Sequence, residues 1–215
     1  MKRVFDLIVS IISIVILSPI FLVIAILIKI NSRGPVIYKQ YRVGKDNKEF
    51  LIYKFRSMKM DAPEIASMAL NDPEYYITAV GKVIRKTSLD ELPQLINIIK
   101  GDMSLVGPRP VINDESEEEL LKLRRKYGIC TLVPGLTGWA QINGRDNMTT
   151  TRKVELEREY LEKRSVFFDL KILFKTVLKV FKQDGIVEGK SIDNVDCEKD
   201  EPTTNMDIND ARNVI

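Results

Sequence analysis

Two adjacent carboxylates, Asp90 and Glu91, stand in the run Ser88-Leu89-Asp90-Glu91-Leu92-Pro93-Gln94. Arg85 lies five residues before Asp90, and Arg109 follows in the stiff turn Gly107-Pro108-Arg109-Pro110. Acids bracketed by arginines suit chemistry on phosphate, because the cations neutralise a phosphoryl group before a second anion approaches it. A carboxylate is already ionised at neutral pH and can attack without a base. Ser88 to Glu91 also spell a capping box, and acids are common in a first helical turn for dipole reasons alone. Pro93 sits badly with Ser88 as the cap, since as fifth helical residue it would forfeit a hydrogen bond. With Asp90 as the cap it falls among amides that are free anyway. On these few residues both the cap and the reactive pair stand.

Composition removes whole classes of mechanism. The 215 residues include no histidine, which excludes Ser-His-Asp and Cys-His nucleophiles and the usual zinc sites. Cys130 and Cys197 are too few and too separated for a disulfide framework or a thiolate metal site. Neither a P-loop nor a G-x-G-x-x-G fingerprint occurs. Catalysis must use carboxylates, Lys or Arg, with any metal a hard cation bound through oxygen. The net charge of +3 hides an asymmetry: from Lys190 onward there are seven acids against three bases, so the preceding residues carry +7. Such a body favours anionic partners. Nucleic acid is not expected, since no nucleic-acid module is recognisable and Trp139 is the only tryptophan.

The elements that must position these groups begin with Leu7–Ile28, 22 residues without a charge. As a straight helix it would reach about 33 Å, enough to cross a hydrocarbon core of ~30 Å. Ser18-Pro19 interrupts it at the middle, where Pro strands the carbonyl of Val15 and the Ser18 hydroxyl can bond back to a preceding carbonyl. Lys2 and Arg3 precede the segment, and Lys29, Arg33, Lys39 and Arg42 follow it. Basic residues on both flanks suggest two ends on the cytoplasmic side, and limbs of half-membrane length fit a re-entrant hairpin. A kinked span fits the same residues.

After Gly34-Pro35, Val36–Tyr41 and Glu49–Tyr53 read as a β-hairpin around Gly44–Lys48, with Lys54 and Arg56 at its end. Residues 59–80 carry loop signals around at most one short helix. Glu117–Tyr127 and Arg152–Arg164 read as helices whose charges are mostly solvated. In Phe167–Lys182, Lys171, Lys175, Lys179 and Lys182 form a basic stripe beside Phe168, Ile172, Phe174, Val177, Leu178 and Phe181. That is either a core helix with a wet lysine face or a membrane-surface helix. The acidic stretch 190–215 reads as a disordered tail.

The motifs Lys54-Phe55-Arg56-Ser57-Met58, Arg85, Ser88 to Leu95, Gly101 to Pro110 and Pro134-Gly135-Leu136-Thr137-Gly138-Trp139-Ala140-Gln141-Ile142-Asn143-Gly144-Arg145 occur in that order behind an apolar segment with Ser-Pro at its centre. Together they closely resemble the bacterial sugar transferases, small monotopic phosphoglycosyl transferases, over about residues 1–187. The resemblance implies an enzyme that moves a sugar-1-phosphate from a UDP-sugar to a polyprenyl phosphate, normally undecaprenyl phosphate. The site would face the cytoplasmic leaflet of the bacterial inner membrane, and the product would start a surface glycan. It implies Asp90 as the nucleophile that carries the phosphosugar and Glu91 as ligand of Mg²⁺. It puts Lys54, Arg56, Arg85, Arg109, Gln141 and Arg145 on the substrate and matches the helix break to Ser18 and Pro19. The fold expected is α+β, predominantly helical with a small β-hairpin. Residues 1–33 form the re-entrant membrane helix, 34–189 the catalytic domain and 190–215 the tail; a homo-oligomer is compatible with it. An inactive membrane-anchored relative that only binds is the competing expectation. Tyr127–Val133 departs from the family pattern, so the sugar is not legible.

Overall fold

The computed structural model describes residues 2–63, 73–144 and 148–182. Its first element, α1 (Lys2–Asn31), is one helix that runs through Pro19 without interruption. The expected break is therefore not a gap in the helix. Ser18 Oγ donates to the Val15 carbonyl at 2.8 Å, supplying the donor that the proline lacks. Most of α1 is bare: Ile11, Ile12, Val15, Ile16, Leu22 and Val23 are each at least half exposed. Among the described residues it is the one helix long and apolar enough to cross a membrane.

Both ends of α1 are gripped by the same body. At the start, Lys2 pairs with Asp169 at 2.5 Å and donates to the Val106 carbonyl, while Arg3 donates to the carbonyls of Ile98 and Ile99. Asp6 is buried and accepts from Ser104 Oγ at 2.8 Å. At the far end, Ile24 and Ile28 are buried with Phe55 and Ile84, and Phe21 meets Phe55 edge to face.

The hairpin forms as expected, with each strand ending two residues later: β1 (Ile37–Val43) pairs antiparallel with β2 (Glu49–Phe55), from Ile37 opposite Phe55 to Val43 opposite Glu49. The short helix α2 (Pro73–Tyr76) leads to α3 (Ala79–Lys86), then a 3-10 turn at Leu89–Glu91 and α4 (Gln94–Lys100). A three-residue strand β3 (Ser104–Val106) pairs in parallel with β4 (Gly135–Thr137), a ladder too short to show a period in the sequence. Helices α5 (Glu118–Lys126), α6 (Trp139–Asn143), α7 (Thr150–Lys163) and α8 (Val166–Lys182) complete the body. The α+β class is borne out.

The main core joins Val43 and Ile52 of the hairpin to Leu95 and Ile98 of α4, Leu120 and Leu121 of α5, and Val154 and Tyr160 of α7. Ile172 of α8 is wholly buried there, with Phe168 packed alongside. Phe167, Phe174, Val177 and Leu178 of the same helix stay exposed, so α8 combines a core stripe with a bare apolar flank. Lys171 and Lys175 sit over the Trp139 ring, 5.9 and 5.2 Å from its centroid.

Candidate active site

Asn97 of α4 brings the parts of the site together. It is fully buried; its Oδ1 accepts from the Tyr53 amide at 3.0 Å and its Nδ2 donates to the Leu51 carbonyl at 2.6 Å. An amide side chain that answers one backbone donor and one acceptor of β2 locks strand to helix in a single register. That lock places the end of β2, and Lys54, against the turn that precedes α4.

The turn itself answers the capping question. Ser88 is left-handed (φ 57°) and its side chain caps nothing; α4 starts only at Gln94, directly after Pro93. Neither capping placement is realised, so Asp90 and Glu91 are not helix-cap acids. Glu91 is clamped instead: its Oε1 accepts from Lys54 Nζ and from Arg109 Nη2, both at 2.9 Å, and its Oε2 lies 3.4 Å from Arg109 Nη1. Asp90 has no hydrogen bond or ion pair among the described residues.

These surroundings drive the two carboxyls apart. Burial, and then the neighbouring Glu91 charge, push Asp90 up to about 6, against the pull of Lys54, Arg85 and Arg109. Burial also works against the charge of Glu91, but the Arg109 and Lys54 cations and their hydrogen bonds hold it well below the usual carboxylate range. One acid is thus firmly ionised and spoken for. The other is half-buried, free and still mostly ionised at neutral pH, which suits a nucleophile.

Arg109 is set by its own turn. Gly107 packs against Gly135 and Gly138 so closely that a Cβ at either would meet the Gly107 backbone within 2.1 Å. The glycines of the Pro134–Gly138 run therefore serve turn packing. Arg124 Nη2 donates to the Arg109 carbonyl at 3.0 Å. The same guanidinium forms a two-pronged pair with Glu157, both side chains buried.

Not every expected substrate residue joins this group. Lys54, Arg85 and Arg109 do, Arg85 through its electrostatic reach to Asp90. Arg56 does not: it is buried, and its guanidinium donates to the carbonyls of Ser32 and Arg33 and to Ser32 Oγ, each at 2.8 Å. The chain turns there from strand into loop, so Arg56 straps down the exit of α1 rather than following Lys54. Gln141 is held within its own segment, donating to the Leu136 carbonyl at 3.3 Å, with its Oε1 buried and unpartnered. Arg145 lies outside the described residues, as does the tail from 190 onward.

Sequence reasoning missed Arg42, Arg124, Lys153 and Glu157, all around Arg109. Charges on α5 and α7 read as mostly solvated, and most of them are; Arg124 and Glu157 are the exceptions, both buried. A signal existed: Arg124 falls on the stripe of Leu120 and Leu121, and Glu157 on that of Val154 and Tyr160. Opposite charges at two core-facing helical positions foretell a buried pair.

The fold and site define a protein with one long, bare apolar helix and a carboxylate pair set among cations, and sequence comparison gives this class its family. Residues 1–183 match the profile of the bacterial sugar transferases, and the chain belongs to that family. It is 44% identical to UDP-glucose:undecaprenyl-phosphate glucose-1-phosphate transferase of Escherichia coli K12, over 84% of this chain and 40% of that protein. It is 43% identical to the "uncharacterized sugar transferase EpsL" of Bacillus subtilis 168, over 86% of this chain and 90% of that one. To the exopolysaccharide production protein ExoY of Rhizobium meliloti it is 39% identical, over 82% and 83% of the two chains. The chain thus spans less than half of the Escherichia coli relative and most of the other two.

Proposed function

We propose that the protein transfers a sugar-1-phosphate from a UDP-sugar to undecaprenyl phosphate, in two steps through Asp90. The observation that carries this is the contrast between the two acids: Glu91 held by Lys54 and Arg109, Asp90 without a partner beside them. In the first step an Asp90 oxygen bonds to the sugar-bearing phosphorus, and the bond to the bridging oxygen breaks. UMP leaves with that electron pair. In the second step an oxygen of the lipid phosphate attacks the same phosphorus, and the Asp90 carboxylate is released. Lys54, Arg85 and Arg109 hold negative charge on the transferring group in both steps. The names of the Escherichia coli and Rhizobium relatives support the substrate class and a place in polysaccharide production.

Mg²⁺ is part of the proposal. No cluster of three metal-binding side chains occurs among the described residues, but magnesium is commonly held by one or two carboxylates together with substrate phosphates. Glu91 fits that use: it is firmly ionised, and its Oε2 has only the long contact to Arg109. When bound there, the ion would supply further neutralisation of the diphosphate. Chelation is expected to stop UMP release, and Glu91→Gln to leave little activity in abundant Mg²⁺.

The membrane arrangement is proposed as well. The bare apolar surfaces of α1 and α8 support membrane association. Lys2 and Arg3 at one end of α1 and Ile28 and Ser32 at the other all bind one body. Both ends then lie on the body's side of the membrane, the cytoplasmic face where UDP-sugars are found.

The decisive experiment omits the lipid. Labelled UDP-sugar should release one UMP per protein and leave a phosphosugar adduct, located on Asp90 by mass spectrometry and absent from Asp90→Asn. An adduct elsewhere, or UMP release only when lipid is present, would overturn the two-step reading.

A further inference from the structure

Arg42 and Lys153 are cations that no ion pair balances among the described residues. Arg42 lies on β1 beside Val43, whose amide bonds the carbonyl of Val111 at 2.9 Å, two residues beyond Arg109. Its guanidinium reaches only Gln40 Oε1, at 2.6 Å, and its Nε is buried without a partner. Lys153 lies one helical turn before Glu157 on α7, so it faces the Arg124–Glu157 pair that holds the Arg109 carbonyl. Its ammonium makes no hydrogen bond or ion pair among the described residues. The Pro108-Arg109-Pro110 turn is therefore flanked by Arg42 on the hairpin side and Lys153 on the α7 side.

Both cations are half-buried, and both are destabilised where they stand. Burial lowers Arg42, as does the Arg109 charge next to it; Glu91 and Glu117 only partly compensate. Burial lowers Lys153 as well, with Arg124 and Arg109 adding to the effect against Glu117 and Glu157. Glu91 is already committed to Lys54 and Arg109, and Glu157 to Arg124. Each is a half-buried cation beside the Arg109 charge, and an anion bound there would offset the repulsion that both feel from it.

We propose that Arg42 and Lys153, with Arg109 between them, form a second phosphate subsite, separate from the Lys54–Glu91 clamp. Its ligand is a phosphate ester carrying one or two negative charges. Arg42 Nε supplies a directed donor and Lys153 a point charge. Two phosphates of the proposed reaction have this chemistry: the uridine-side phosphate, which departs as UMP, and the phosphate of the lipid acceptor. The uridine-side phosphate is expected, because it gains charge as the bond to it breaks and must lie near the phosphate that Arg109 serves. The inference rests on the proposed transfer reaction for the identity of the ester, though not for the existence of the subsite.

The test uses Arg42→Gln and Lys153→Gln with Arg42→Lys as a charge-retaining control, all in the full chain. Calorimetric binding of UMP should weaken about tenfold in each glutamine variant, the scale of one charge-assisted hydrogen bond, and much less in Arg42→Lys. Adduct formation from UDP-sugar should slow, while transfer from a preformed adduct to polyprenyl phosphate stays unchanged. If that second half-reaction alone slows, the subsite exists but serves the lipid phosphate. If UMP binding and both half-reactions match the parent, the subsite is overturned. Thermal unfolding of both glutamine variants should stay at or above that of the parent, since an unbalanced cation is removed; a fall would mean that the cations serve folding and would overturn the subsite. Should the parent bind UMP but transfer no sugar phosphate, the functional reading fails while the binding comparison still decides the subsite.

Discussion

Arg124 holds Arg109 by its backbone, donating from Nη2 to the Arg109 carbonyl at 3.0 Å while its other donors close on Glu157. The side chain of Arg109 faces Glu91 instead. A buried ion pair on α5 and α7 thus orients a cation whose charge is used elsewhere.

Glu157→Gln tests that arrangement. Leaving Arg124 buried without its counter-charge should cost about 3–5 kcal/mol of stability, read from denaturant unfolding. Where the variant remains folded, activity should fall as Arg109 loses its setting. In an Arg109→Ala background the same change should cost little further activity. Equal activity losses in both backgrounds would show that the pair acts on the fold alone.

Asp90 should impose a pH dependence. It must be ionised to attack, and burial with the Glu91 charge raises it to about 6. The rate kcat/KM should therefore climb through pH 6 and level off above 7, as long as the raised group belongs to the free enzyme. An ascending limb near 4 would mean that Asp90 is not held in this environment.

The same shift bears on stability. A carboxyl whose folded-state pKa lies above its unfolded value costs nothing at low pH and destabilises increasingly as pH rises from about 4 to 6. Asp90→Asn should accordingly unfold at a higher temperature than the parent at pH 7, by on the order of 1–2 kcal/mol after allowing for partial exposure. The gain should vanish below pH 4. Melting curves at both pH values decide it.

Gly34 should not tolerate a side chain. It has φ +121°, and a Cβ there would lie 2.0 Å from the Arg56 guanidinium that straps the exit of α1. Gly34→Ala is expected to cost about 1–3 kcal/mol through strain and the displaced strap. A melting temperature unchanged from the parent would show that the strap yields freely.

The topology can be read with one cysteine near Lys2, in a Cys130→Ser, Cys197→Ser background. With both ends of α1 bound to one body, and that body on the cytoplasmic side as proposed, an impermeant thiol reagent should label it only after the membrane is opened. Labelling in intact cells would mean that the segment spans.

The sequence by itself determined the order of elements that have a local code. An uncharged run of 22 residues from Leu7 must leave water, alternation around Gly44–Lys48 makes a hairpin, and Ser18 repairs the bond that Pro19 removes. It also marked Asp90, Glu91, Lys54, Arg85 and Arg109, because reactive residue types in a fixed order carry their chemistry with them. Tertiary structure decided which of the marked residues meet. Lys54 and Arg56 are two residues apart, yet one clamps Glu91 and the other ties the end of α1. The gathering of Arg42, Arg124, Lys153 and Glu157 around the Arg109 turn depends on how β1, α5 and α7 pack, and no local pattern encodes that packing. Charge is read from composition, but whether a charge is solvated, paired or left for a ligand depends on burial, and burial exists only once the chain has closed on itself.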